Sequence, residues 1–304
     1  MSKHLIAGLA FVGFVALTTG KAEAGLVTPT FNNENCSAVT LTSVSNLGAP
    51  GTNLLSQSYN ANQCIGFIGP NPSHNDDPFN NINNPTTNIG YLGDGLLNGG
   101  VHNGNQYFIG TEFIDQSDLQ DLQTSGNFID PGWIHLGHFN GDNSNWTYSS
   151  LGTGLVKDDE PVTPLNIADL LELSLDCTSG NANDCKAGTW TISTKLDIIE
   201  QVQALLGPAT FDHLAFSIKA GPSFVVYDFN FKNIFANEND PLLNFNTPYI
   251  LSGTFNTSDL GNKGVSHLNI MARDPIDTTT VDVPAPATLA ILGLGLLVLR
   301  LFRR

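Results

Sequence analysis

His135 and His138 stand three apart in Trp133-Ile134-His135-Leu136-Gly137-His138-Phe139. Two imidazoles on one face could share a metal ion. The run follows Asp130-Pro131-Gly132 and contains Gly137, so it reads as a strand. Side chains three apart on a strand point to opposite faces, and these two rings are expected not to meet. Asp212, Ser266 and His267 supply the residue types of a hydrolytic triad, with His213 beside the first. No G-x-S-x-G elbow accompanies them. Acidic clusters at Asp76-Asp77, Asp158-Asp159-Glu160 and Asp142-Asn143-Ser144-Asn145 offer oxygen ligands of the kind Ca2+ takes. None has the D-x-[DN]-x-[DN]-G spacing with a later Glu, so Ca2+ is only a compositional hint and no metal ligand is assigned. Trp133, Trp146, Tyr148 and Trp190 could stack on sugar rings, although strand aromatics more often face a core. A glycosidase needs two acids at a fixed separation, which a sequence does not give. The chain presents no catalytic residue.

Its cysteines number four: Cys36, Cys64, Cys177 and Cys185. An even count in an exported chain predicts two disulfides, with three pairings open. Proximity favours Cys36–Cys64 and Cys177–Cys185. The second pair brackets the turn-forming Thr178-Ser179-Gly180-Asn181-Ala182-Asn183-Asp184. Zinc sites use close C-x2-C pairs, which the chain lacks.

The elements that must position these residues are mostly strands. Leu171, Leu173 and Leu175 alternate with Glu172, Ser174 and Asp176, and Gly188 to Ser193 follows the second cysteine pair. Phe211 to Lys219 and Phe224 to Lys232 form a hairpin around Ala220-Gly221-Pro222-Ser223. Tyr249 to Phe255 and Val265 to Ala272 complete the set. Asn71 to Asn105, rich in Asn and Gly, reads as long surface loops on a sheet. Its recurring Tyr91, Leu92, Leu96 and Leu97 argue against disorder. One helix is expected from Leu196, Ile199, Val202 and Leu206, capped by Thr194 and ended by Gly207-Pro208. Runs of this kind predict an all-β, sandwich or jelly-roll-like domain with one short helix.

Both ends carry export signals. Lys3 and His4, the apolar run Leu5 to Leu17, and Ala22-Glu23-Ala24 before Gly25 read as a signal peptide over residues 1–24, cut by signal peptidase. At the other end, Val283-Pro284-Ala285-Pro286 opens an apolar stretch to Leu299, followed by Arg300, Arg303 and Arg304. The stretch is short against the roughly 20 residues a bilayer core asks for. The arginines hold its far end in the cytoplasm, which places the preceding chain outside. Residues 283–304 resemble the PEP-CTERM sorting signal of Gram-negative bacteria, although Ala285 stands where that family usually has Glu. The resemblance implies an exosortase, a membrane-embedded cysteine peptidase, as processing enzyme. Asn88-Ile89-Gly90-Tyr91-Leu92-Gly93-Asp94-Gly95-Leu96-Leu97-Asn98, Phe211-Asp212-His213-Leu214-Ala215-Phe216, Gly253-Thr254-Phe255 and Ser266-His267-Leu268 are similar to recurrent pieces of PEP-CTERM proteins. That family implies an address and a β-rich fold, and no reaction.

Residues 25–282 are left as one exported domain. The whole chain has 12 Lys and Arg against 28 Asp and Glu. Five of the basic residues and one of the acidic ones lie in the end segments, which leaves 7 against 27. Such a surface repels nucleic acid and anionic lipid. The expected protein is a non-enzymatic surface or extracellular-matrix protein, associated with exopolysaccharide. It would be anchored in the inner membrane before processing and then stand at the cell surface. A secreted carbohydrate-binding module or carbohydrate-active enzyme is the alternative.

Overall fold

A computed structural model describes residues 24–32, 36–68, 87–122, 126–141, 145–157, 159–180, 184–207 and 211–273. The main strands are β1 (Val39–Asn46), β2 (Gln63–Phe67), β3 (Trp133–Asn140), β4 (Asn145–Tyr148) and β5 (Leu171–Ser179). They continue with β6 (Ala187–Thr194), β7 (His213–Ala220), β8 (Ser223–Asn230), β9 (Tyr249–Asn256) and β10 (His267–Arg273). The helices are α1 (Ile167–Leu170), α2 (Ile198–Leu206) and α3 (Phe231–Glu238). One antiparallel sheet runs β5-β6-β9-β1 and ends on Tyr59–Asn60. The other starts from Phe31–Asn32 and runs β2-β8-β7-β10-β3-β4.

The two large sheets feed one hydrophobic core. Leu41, Trp190, Ile192 and Phe255 from the first meet Phe216, Ile218, Phe229 and Ile270 from the second. Trp190 packs on Phe216 with ring centroids 4.6 Å apart. The intervening residues of the second sheet, among them Ala215, Phe224, Val226 and Met271, enter a second core under Leu96, Leu97, Phe108, Phe113 and Ile114. Strands β7, β8 and β10 are therefore buried on both faces, which is why their apolar residues occupy both alternating sets of positions and not one.

The Asn- and Gly-rich segment, where described, is thus a cover over the sheet's outer face. Gly90 and Gly132 fix how it lies. Both have positive φ (90° and 86°), and Gly132 N–H donates to Gly90 O at 3.2 Å. A Cβ on Gly90 would collide with the Gly132 backbone.

Three local expectations change. The second hairpin strand ends at Asn230 instead of continuing to Lys232, because the Asn230 side chain caps α3 by accepting from Asn233 N–H at 3.1 Å. The long helix begins at Ile198. Thr194 stays in β6, where its hydroxyl donates to Tyr249 O at 2.9 Å, and Leu196 is 72% exposed, off the apolar stripe. Three helices, not one, occur among the described residues.

Cys36 is joined to Cys64 and Cys177 to Cys185. The first bridge ties the turn that leads into β1 of one sheet to β2 of the other; the second closes the β5–β6 hairpin. On the loop-entropy account the longer bridge contributes about 3.6 kcal/mol and the shorter about 2.6 kcal/mol. We expect the Cys36→Ala/Cys64→Ala double variant to lose more stability in urea unfolding than Cys177→Ala/Cys185→Ala. The latter should loosen hydrogen-exchange protection around residues 177–187 more than in the core.

Candidate functional site: a buried ionic junction and a histidine–asparagine cluster

Arg273, the last residue of β10, is fully buried. A guanidinium there must find partners for its N–H groups or lose several kcal/mol to desolvation. Nη1 donates to both carboxylate oxygens of Asp212, at 3.1 and 2.9 Å, and Nε donates to Pro131 O at 2.8 Å. Nη2 donates to Asp118 O. Asp212, itself buried, accepts a second cation, Lys232 of α3, at 2.8 Å. Its backbone is stapled at the same point: N–H donates to Arg273 O at 3.2 Å, and its carbonyl accepts Phe231 N–H at 2.8 Å. One charge pair thus gathers β10, the lead into β7, α3 and the stretch of chain from Asp118 to Pro131 that precedes β3.

Beside it His213 Nδ1 donates to Asp228, 3.0 Å from one oxygen and 3.1 Å from the other. Burial pushes the Asp228 carboxyl up, and His213 works against that shift. A carboxylate orienting a histidine through Nδ1 is the geometry of a general base and its positioning acid. The hydrolytic trio considered from the sequence is not assembled around it. Ser266 Oγ donates to Lys219 O at 3.2 Å, and His267 stacks on His138. Asp212 pairs at the far end of β10, six residues and roughly 20 Å from His267.

The two histidines of β3 overturn their expectation. Ile270 of β10 pairs with Gly137 but Met271 pairs with His135, so Leu136 is an extra residue in β3. A bulge of one residue reverses side-chain parity beyond it. His135 and His138 consequently share a face, and Asn269 Oδ1 accepts from both, at 2.9 and 3.1 Å. Ser149 Oγ meets the other nitrogen of His135, and Asn88 brackets its backbone by accepting His135 N–H and donating to His135 O. Burial first, and His138 beside it, lower the His135 pKa to about 4. The ring is neutral, with Nε2–H facing Asn269. Among the described residues no group of three His, Cys, Asp or Glu is placed to hold a metal ion.

Trp133 and Trp190 are core residues and offer no sugar-stacking face. Trp146 and Tyr148 are half-buried on edge strand β4, where Trp146 packs on Phe139 and Tyr148 Oη accepts Leu173 N–H. Asp159 lies in the turn between the short strands Val156–Lys157 and Glu160–Pro161, and Glu160 opens the second of them, paired with Lys157. Asp76, Asp77, Asp142, Asn143, Ser144 and Asp158 lie outside the described residues, as do Ala22 and the tail residues Val283, Pro284, Ala285, Pro286, Arg300, Arg303 and Arg304. Ala24 is the first described residue. Gly25 opens a short strand that runs parallel to Asn105–Gln106. Sequence reasoning missed the Arg273–Asp212 junction, although lone charges inside the apolar runs Phe211–Phe216, Val225–Phe229 and Leu268–Arg273 were its signal.

Arg273→Met should cost about 3–5 kcal/mol in urea unfolding, because Asp212 then loses its buried partner. Lys232→Met, at a half-exposed site, should cost less than about 1 kcal/mol. For His135 the folded pKa lies below the ordinary 6.5, so the unfolded chain takes up the proton first as pH falls. Its contribution is full above pH 6.5 and is lost between 6.5 and about 4, by up to about 3 kcal/mol. His135→Gln should flatten the pH dependence of stability in that window relative to the unchanged protein.

No curated protein and no solved structure matches the chain. Residues 282–304 match the family described as the PEP-CTERM protein-sorting motif. The chain therefore carries a PEP-CTERM sorting signal at its C-terminal end, which implies export, processing by an exosortase and placement at the cell surface.

Proposed function

We propose that the protein is a non-enzymatic component of the cell surface or extracellular matrix, handed outward by exosortase and associated with exopolysaccharide. The observation that carries this reading is the sorting motif at residues 282–304, downstream of the described residues, which end with β10 at Arg273. The buried ionisable groups support it. Arg273, Asp212, His135 and Asp228 are engaged by other parts of the same fold, as suits a durable exported body. In this reading the fold is a β-sandwich, since both large sheets supply one core, and no cofactor takes part. Signal peptidase and exosortase are its processing partners, the inner membrane is its station before processing, and nucleic acid is not a partner.

The second reading, a carbohydrate-binding module or carbohydrate-active enzyme, draws on Trp146 and Tyr148. They lie half-exposed on β4 beside the exposed Asn145 and Thr147. A glycan array and a hydrolase panel with the mature protein separate the two. We expect retention on exopolysaccharide without turnover of any glycan. Hydrolysis abolished by one carboxylate substitution would establish the second reading.

A further inference from the structure

At one end of the space between the two large sheets lies a cavity of about 150 Å³. Ile192 and Leu214 form part of its walls, Ile198 and Val202 of α2 close one side, and Phe231 and Phe245 another. The polar side chains on its wall are turned to partners in the protein. Thr194 Oγ1 donates to Tyr249 O, Tyr249 Oη to Leu242 O, and Thr247 Oγ1 to Asn244 Oδ1. Asn244 Nδ2 faces Leu242 O, and His213 Nδ1 faces Asp228. An occupant would meet carbon almost everywhere. A sugar or a carboxylate would leave its own polar groups unpaired there, at a cost of about 1–3 kcal/mol for each neutral one and more for a charge.

Volume sets the other limit. Sites for drug-sized ligands run to about 300–1,000 Å³. A cavity near 150 Å³ with Leu, Ile and Phe walls matches the size that takes one benzene ring. We infer that this cavity is a binding site for a compact, uncharged, apolar molecule of about one six-membered ring. The site is independent of the exopolysaccharide reading, whose ligand it would reject. On one side the cavity is lined by α2, a nine-residue helix whose Asp197 N-cap makes no side-chain capping bond and whose buried anchors are Ile198 and Val202. A helix that short is marginal without its packing.

The test is toluene titration of the mature protein, isolated from producing cells, followed by methyl NMR with benzoate as the charged control. Toluene should shift the methyls of Ile192, Ile198, Val202 and Leu214 and leave those of Leu96 and Leu97 in the second core unmoved. Benzoate should shift neither set. Val202→Phe fills the cavity and should weaken toluene binding at least tenfold at an unchanged or higher Tm; Ile199→Phe serves if that variant does not fold. Toluene shifts that spread over both cores, persist in the filled variant, or are matched by benzoate would overturn the site.

Discussion

A guanidinium buried at the end of the last strand constrains everything around it. Arg273 cannot be left unpaired in the interior, so Asp212, Pro131 and Asp118 must be brought to it. Those three partners belong to the lead into β7 and to the stretch of chain between the cover segment and β3. The pair therefore fixes where the outer face of the second sheet is closed. Lys232 adds a half-exposed cation to the same carboxylate and ties α3 to the junction. The residues that continue towards the sorting motif leave from this point. Ten residues separate Arg273 from Pro284, so an extended chain spans at most about 40 Å between them.

The second constraint is that the central strands have no wet face. With side chains of β7, β8 and β10 going to two cores, polar groups on the outer face must be satisfied inside the protein. Asn269 Oδ1 does so by accepting from two histidines, although the Nδ2 of the same side chain finds no partner among the described residues, and Asn88 does so by bonding the backbone of β3. The bulge at Leu136 makes the first arrangement possible. Cys36–Cys64 acts in the same direction, since it links the sheet that faces one core to the sheet that serves both.

Much of this was legible in the residues. Alternation in Leu171–Leu175 gives β5, and the Gly221-Pro222 turn gives the β7–β8 hairpin with Ala220 paired to Ser223. Cysteine spacing gives the two bridges. The histidine pair was not legible, because parity arguments assume an unbroken strand and a one-residue bulge leaves no clear trace in composition. The cover segment reads as surface loops for a related reason. Its apolar residues are spaced irregularly by glycines, so neither period 2 nor period 3.6 shows that Leu96, Leu97 and Phe108 are core. The start of α3 was hidden by Phe231, which continues an aromatic strand run until Asn230 caps the helix. The sorting signal was the reverse case, since its meaning resides in local composition at residues 282–304.

On the proposed reading the folded region is an exported body released or transferred by processing at its C-terminal signal. Intact-mass measurement of surface and released material from cells with an active exosortase tests it most directly. The account predicts a chain that begins at Gly25 and ends close to Pro284–Pro286, with both disulfides intact. It also predicts that changing Arg300, Arg303 and Arg304 together to Ala weakens that processing. Surface material that still ends at Arg304 in those cells would contradict the account.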